Sequence, residues 1–221
     1  MTTGRARLGM NLISRVESQH MPILRIAPPK QSLAKLGKAL HHFVSLKHQH
    51  KRWMNLLPSI VVKKALYPQP LYSARLAEVL DGKPLHAALR RSGWIYFLRD
   101  GKSNLACAEV SSIRGVHKNA RLTEGSFVRN AFDLISKSVR DPRVRRYRFE
   151  MRSIRAESLH FFCLWFKVKG GSEYFIPVTP LGTTLKVKRW FSRTELAEAL
   201  RQEALRVRDA QARADRLSKN L

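Results

Sequence analysis

The sequence predicts an α+β fold: an antiparallel sheet of about five strands in the order ββαβββα, with helices packed on one face. Strand-forming runs such as 94–98 are separated by the turn signals Asp100-Gly101 and Gly170-Gly171, which is typical of hairpins. Apolar residues recur at helical spacing in residues 123–138 and again after Ser192. The connections are short, so antiparallel pairing with the helices on a single face is the natural arrangement.

Residues 1–71 are expected to form a basic, partly helical N-terminal extension. The charged residues of the first third of the chain are almost all basic, because its only acid is Glu17. Its leucines recur at the spacing of one helix face, and Lys35 and Lys38 fall on another. In composition, residues 1–25 fit either a basic arm or an organellar presequence, and we favour the arm.

Residues 72–205 are expected to form the α+β domain. The proline-rich segment 67–70 precedes it, and two short helices follow. The first hairpin joins residues 94–98 to residues 105–110. The polar and basic segment 111–121 is expected to be a loop.

The second half of that domain is expected to run helix, three strands, helix. The helix covers residues 123–138, and an alternating strand with an Arg-rich outer face follows at 146–152. A more fully buried strand covers 159–169. The last strand is 174–178, and Pro177 places it at an edge of the sheet or ends it early.

A long C-terminal helix closes the chain. Ser192 and Glu195 have the spacing of a capping box, in which each side chain satisfies the backbone N–H of the other. We expect the first half of the helix to dock on the sheet. We expect its end, residues 206–221, to project or fray, because it is rich in Ala and Arg.

Net charge is the strongest functional signal in the chain. The sequence has 42 Lys plus Arg against 16 Asp plus Glu, a formal net charge of +26 on 221 residues. A chain this basic repels itself, so it is expected to act on a polyanion, and nucleic acid is the first candidate. Binding through phosphate contacts would have low sequence specificity.

Composition also bears on compartment and class. The mean hydropathy is −0.31, and the longest nearly apolar run is too short for the roughly 20 residues of a membrane-spanning helix. The two cysteines, Cys107 and Cys163, lie in strand-like apolar runs. They are expected to be buried free thiols of a cytoplasmic, reducing environment.

An Arg-rich strand is the first candidate binding element. Guanidinium groups suit phosphate because they bind it bidentately and stay charged, and a strand projects alternate side chains to one face. The alternative is a solvated sheet face with no partner. The candidate residues are Arg143, Arg145, Arg146, Arg148 and Arg152, extended by Lys167 and Lys169 on the next strand.

Two further basic groups complete the candidate binding residues. One precedes Trp190 and Phe191, whose rings could stack on bases or, as we favour, attach the last helix to the core. The other belongs to the N-terminal extension, where a basic amphipathic helix could bind nucleic acid, an anionic membrane or an acidic partner. These residues are Lys186, Lys188 and Arg189 in the first group, and Lys35, Lys38, Lys51 and Arg52 in the second.

The sequence contains no convincing catalytic, cofactor or metal motif, so we expect a non-catalytic protein. The histidines of the first third are not spaced to share one ion, and His160 and Cys163 would face opposite sides of a strand. An alternative to nucleic-acid binding is a structural or adaptor subunit of a larger assembly. Its basic arm would then dock on an acidic protein partner or an anionic membrane.

Overall fold

One mixed sheet carries the fold. The computed structural model of the protein describes residues 23–24, 26–46, 65–99, 105–145, 148–168, 171–180, 187 and 189–219. The strands are β1 (Ile23–Leu24), β2 (Ala65–Ala74), β3 (Leu89–Arg99), β4 (Leu105–Ile113), β5 (Val116–Thr123), β6 (Phe149–Ala156), β7 (Phe161–Val168) and β8 (Glu173–Pro177). The helices are α1 (Lys30–Leu46), α2 (Leu76–Leu80), α3 (Leu85–Ala88), α4 (Ser126–Ser138), α5 (Pro142–Arg145) and α6 (Arg193–Lys219).

Strand number and direction differ from the sequence prediction. Across the described ranges the sheet has eight strands rather than about five, in the order β5-β4-β3-β2-β6-β7-β8, with β1 beside β6. Two antiparallel meanders, β2–β5 and β6–β8, meet where β2 runs parallel to β6, at Leu71–Ser73 and Ser153–Arg155. The sheet is therefore mixed rather than antiparallel, and the predicted α+β class is confirmed.

β5 replaces the predicted loop at 111–121. Arg114 and Gly115 have positive φ angles of 50° and 80°, and they form the two-residue turn that returns β4 into β5. Positive φ at both central positions matches the twist of a tight hairpin. Glycine adopts this conformation freely but arginine rarely does, so the dipeptide is a weak turn signal in the sequence.

β2 was also missed, because its prolines were interpreted as a break between elements. Pro68 and Pro70 lie where β2 pairs with β3, before the segment Leu71–Ser73 that also pairs with β6. Proline has no N–H to donate, so it is tolerated where a strand faces no partner on one side. The two prolines are two residues apart, so their nitrogens face the same side of the strand.

Helices cover both faces of the sheet, where the sequence predicted one. On one face α1 packs on β3, β4 and β5, and α2, α3 and the first half of α6 pack on β6, β7 and β8. On the other face α4 packs on alternate residues of β3, β6 and β7. Apolar residues at every position of 161–166 make this possible, since both faces of β7 are buried.

Several predicted elements are confirmed. The hairpin of β3 and β4, the helix α4 and the strand β7 lie within a few residues of their predicted ranges. β8 is the last strand in the sheet order, as Pro177 indicated. In the part of the chain that the structure describes, no helix is long and apolar enough to cross a membrane.

The division of the chain into an extension, a domain and a projecting end stays a prediction. β2 runs across residue 71, and α1 packs on the sheet through Leu36 and Leu40, which are 0% and 2% exposed. α6 runs continuously across residue 205, and its residues from Arg208 to Ser218 are exposed.

Candidate functional site

Basic side chains of the described residues are mostly exposed, whereas the acids are divided between surface and interior. Among the described residues, 22 Lys or Arg are exposed against eight Asp or Glu, whereas two Lys or Arg and six Asp or Glu are half-buried or buried. Five of these six acids form ion pairs with arginine: Glu78, Glu109, Glu150, Glu173 and Glu203. Most of the buried or half-buried negative charge of the described residues is thus neutralised by arginine, while the exposed charge is mostly positive.

The predicted Arg-rich strand is built differently from the expectation. Arg143 and Arg145 lie in α5, before the strand begins, and Arg146 lies outside the described residues. Arg148 is exposed immediately before β6. The proline at position 142 begins the short helix α5, which the alternation of residues 146–152 did not indicate.

Arg152 is tied to the protein rather than projected for a ligand. Its guanidinium donates to both carboxylate oxygens of Glu150, at 2.5 and 2.8 Å. The same group lies 4.6 Å from the ring centroid of Trp165 and 5.4 Å from that of Tyr72. A bidentate carboxylate and two aromatic faces already satisfy this arginine, so phosphate would have to displace Glu150.

Lys167 lies in a patch of mixed sign. It is exposed on β7, and its cross-strand partners are Glu150 on β6 and Glu173 on β8. Glu173 in turn accepts a hydrogen bond from Arg193, at 2.8–2.9 Å. Alternating charges on neighbouring strands favour a solvated face. Lys169 lies outside the described residues.

The aromatic pair before α6 attaches that helix to the core. The ring of Trp190 lies 5.4 Å from that of Phe166 and 5.9 Å from that of Tyr174, and Phe191 is buried. Arg189 lies 5.3 Å from the ring centroid of Phe191. The attachment role we favoured is therefore confirmed, while Lys186 and Lys188 fall outside the described residues.

One surface collects basic side chains without any acid. Helix α1 and the segment from Val110 to Thr123 contain no Asp or Glu, and they pack together on one edge of the sheet. β5 is the terminal strand, so this edge faces solvent. We call it the α1–β5 surface. Its exposed basic side chains are Lys30, Lys35, Lys38, His41 and His42 of α1, with Arg114 and Lys118 near the turn into β5.

Helix and strand periodicity explain why these groups converge. Lys35, Ala39 and His42 are spaced i, i+4, i+7, so they line one flank of α1. Ala39 and His42 border a groove whose far side is Ala120 and Arg121 of β5. Ala120 and Leu122 share the face of β5 on which α1 packs, whereas Arg121 is the cross-strand partner of Glu109 and lies on the opposite face.

The floor of this groove is apolar. Its volume is about 160 Å³, and it is lined by Leu36, Ala39 and Leu40 of α1 and by small or branched apolar residues of β4 and β5. Leu36 and Leu40 are buried against Tyr96 and neighbouring residues of β3. Ser32, at the start of α1, is hydrogen-bonded to the Tyr96 hydroxyl at 2.7 Å, which fixes the helix on the sheet.

A second, polar cleft lies on the opposite face of the sheet. Arg155 of β6 donates two hydrogen bonds to Glu109 of β4, across the intervening strands β2 and β3. This pair borders a cleft of about 200 Å³ and Arg155 reaches a neighbouring one of about 460 Å³, which His160 also lines. Its charges are of both signs, since Glu157 lies 4.0 Å from Arg155, so the cleft does not select an anion.

Sequence reasoning found part of the α1–β5 surface. Lys35 and Lys38 were predicted, and the structure places them beside β5; Lys51 and Arg52 lie outside the described residues. Arg114 and Lys118 were missed as site residues because their segment was expected to be a loop. The alternation of Ala120 and Leu122 with polar residues was the available signal.

The weak catalytic candidates do not converge. Cys163 is buried in β7, where burial raises the pKa of its thiol well above the ordinary value, and His160 is exposed at the preceding turn. A thiol with a raised pKa is a poor nucleophile. Among the described residues, no three His, Cys, Asp or Glu side chains are grouped as metal ligands.

Comparisons with known proteins do not assign this chain to a family. No protein-family model matches the chain, and neither the curated proteins nor the solved structures contain a significant match.

Proposed function

We propose that this protein is a non-catalytic nucleic-acid-binding protein that uses the α1–β5 surface. The observation that carries the proposal is the absence of any acid from α1 and from the segment 110–123, with Lys35 and Lys38 exposed on one flank of the helix. Phosphates bind where Lys and Arg are not already neutralised, and α1 itself contains no carboxylate. Affinity would rest on phosphate contacts, with low sequence specificity.

The other predicted residues are expected to contribute unequally to phosphate binding. Arg152 and Lys167 are balanced by Glu150 and Glu173, so they contribute less than Lys35 and Lys38. Arg143, Arg145, Arg146, Arg148, Lys186 and Lys188 remain additional candidates for phosphate contact, as do Lys51, Arg52, Lys169 and Arg189.

Salt-dependent binding tests the proposal. Fluorescence anisotropy with labelled single-stranded DNA, duplex DNA and duplex RNA, repeated over a series of NaCl concentrations, gives the slope of log K against log salt. The slope is about −0.9 per phosphate contact on duplex DNA and about −0.7 on single strands. The triple variant Lys35→Ala/Lys38→Ala/Lys118→Ala should bind more weakly and reduce the magnitude of the slope by about 2.

A matched variant distinguishes a defined interface from general charge. Arg201→Ala/Arg213→Ala/Arg216→Ala removes the same charge from exposed positions of α6. It should bind nearly as well as the unmodified protein. Equal losses in the two triple variants, or equal affinity for heparin and for every nucleic acid, would reject the α1–β5 surface as the binding site.

A second candidate function is a structural subunit of a larger assembly. The end of α6 favours it, because residues 208–218 are exposed and Leu217 is 68% exposed. An acidic protein partner or an anionic membrane would then receive the basic groups. An obligate subunit should be poorly soluble or partly unfolded alone, so a monomer that sediments as one species and unfolds cooperatively would count against this candidate.

A further inference from the structure

We propose that the groove between α1 and β5 receives an unstacked nucleobase, so that the α1–β5 surface binds single-stranded nucleic acid in preference to duplex. This inference rests on the proposed function and adds the form of the ligand. It is carried by an apolar slot beside basic side chains: the groove floor is Leu36, Leu40 and Leu122, and Lys35 and Lys38 are exposed on the helix that forms one wall.

The size of the groove fits one ring system. Its volume of about 160 Å³ is smaller than the roughly 300–1,000 Å³ of pockets for drug-sized ligands. Three alanines, Ala39, Ala108 and Ala120, leave the space open, and larger side chains at these positions would close it. An acyl chain would need a longer channel, whereas a single flat base requires only a short apolar slot.

The floor of the groove is firm enough to act as a preformed site. Leu36 is 0% exposed, and Ala108 is 2% exposed within the β3–β4–β5 meander. A base that enters therefore contacts side chains that the core already holds in place. Little conformational entropy of these side chains is lost on binding. Burial of the base faces would supply affinity that does not depend on sequence.

Charge on the rim matches the chemistry of a nucleotide. Lys35 and Lys38 are exposed on α1, the helix that forms one wall of the groove. These two basic groups can hold phosphates next to one inserted base. A duplex keeps its bases paired and stacked, so it can offer this surface phosphates but no base.

Two single strands of equal charge, one with bases and one without, test the inference, and a duplex gives the comparison of form. The probes are a labelled thymidine 12-mer, an abasic 12-mer with the same phosphates, and a 12-base-pair duplex, all measured by anisotropy at the same salt concentration. The unmodified protein should bind the thymidine 12-mer about tenfold more tightly than the abasic 12-mer. Equal affinity for these two probes would overturn the base-binding groove while leaving the phosphate-binding proposal intact.

A variant that fills the groove sharpens the test. Ala39→Leu adds volume without altering charge and keeps a good helix former. It should lose the preference for the thymidine 12-mer while its affinity for the abasic 12-mer changes less than about twofold. The matched control, Ala197→Leu, fills a different cleft on α6 and should leave the preference unchanged.

The remaining outcomes separate this inference from the function on which it rests. An Ala39→Leu variant that keeps the full preference would reject the groove as the base site. Failure of the unmodified protein to bind any of the three probes would reject both proposals. If the protein binds vesicles that contain phosphatidylserine but binds none of the oligonucleotides, both proposals are rejected. An anionic membrane is then favoured as the partner.

Discussion

Gly93 shows how closely two strands of the sheet approach each other. It pairs with Ser111 across β3 and β4, and a Cβ atom at this position would lie 2.1 Å from the carbonyl oxygen of Val110. The opposing atom belongs to the backbone, so it cannot move aside as a flexible side chain would. Only glycine fits here without displacing the partner strand.

We predict that Gly93→Ala lowers the free energy of unfolding by about 3 kcal/mol, because the added methyl group separates a paired backbone. Urea denaturation monitored by tryptophan fluorescence would measure the change. Gly37→Ala is the matched control: Gly37 lies inside α1 with open space around its Cα. It should stabilise the protein by about 0.5–1 kcal/mol through helix propensity. Equal effects at the two positions would contradict the prediction.

Buried weak acids make stability sensitive to alkaline pH. Burial raises the pKa of Tyr96 to about 12, although its hydrogen bond to Ser32 acts in the opposite direction. Burial also raises the pKa of the Cys107 and Cys163 thiols well above their ordinary value. The folded state therefore holds these protons more tightly than the unfolded state does.

The stabilisation from the thiols is complete below their ordinary pKa of about 8.5 and declines as the pH rises above it. We predict that the free energy of unfolding of the unmodified protein falls faster between about pH 8 and pH 10 than that of Cys107→Ala/Cys163→Ala. Urea titrations at a series of pH values would measure both slopes. Parallel pH profiles would show that the thiols ionise equally in the folded and unfolded states.

At the scale of elements, the start of α6 is set by a reciprocal cap. The backbone N–H of Glu195 donates to the Ser192 hydroxyl at 3.3 Å, and the N–H of Ser192 donates to the Glu195 carboxylate at 2.7 Å. The hydrogen bond that the Glu195 carboxylate accepts from the Ser192 backbone N–H lowers the pKa of Glu195, and the Ser192 side chain acts in the same direction. The predicted capping box is thus confirmed.

We predict that Ser192→Ala lowers the free energy of unfolding by about 1 kcal/mol, since it leaves a backbone N–H of the first turn without its partner. Ser218→Ala at the other end of α6 is the control; its hydroxyl donates to the Asp215 carbonyl oxygen in an exposed turn. That change should stay within about 0.5 kcal/mol. Thermal unfolding would compare the two variants, and equal losses would argue against the cap.

Elements with a strong local signal were predictable, and elements defined by distant partners were not. The β3–β4 hairpin carries a turn signal between two apolar strands, so its existence followed from the sequence. β2 depends on β3 for pairing through Pro68 and Pro70, and the sequence cannot indicate which side of a strand lacks a neighbour. β5 depends on a turn made by Arg114, a residue that rarely adopts positive φ.

The sequence predicted the class of ligand, but it predicted only some of the residues that form the candidate site. Charge indicated a polyanion, and Lys35 and Lys38 were singled out from helical spacing. Arg152 has the same chemistry as Arg121, yet one is satisfied by Glu150 and the other is exposed. Alternation along β6 places Glu150 and Arg152 on one face, and the register of β6 with β7 places Trp165 opposite Arg152.

Self-repulsion acts on the whole molecule, since the net charge is +26 and few exposed acids offset it. We predict that NaCl stabilises the protein by on the order of 1 kcal/mol between low and physiological ionic strength, because screening relieves repulsion among the exposed cations. Thermal unfolding over a salt series would measure this. The triple variant Arg201→Ala/Arg213→Ala/Arg216→Ala should respond less, and destabilisation by salt would show that surface ion pairs outweigh repulsion.

The parallel junction between β2 and β6 has a consequence for the order of folding. Each antiparallel meander pairs strands that are close in sequence, whereas Leu71–Ser73 meets Ser153–Arg155 across the whole intervening chain. Closing long loops is entropically costly, so nearby pairings form first. A chain emerging from the ribosome can therefore complete β2–β5 while β6 is still unmade. Until β6 arrives, β2 is an open edge and the nascent meander is exposed to association with other chains.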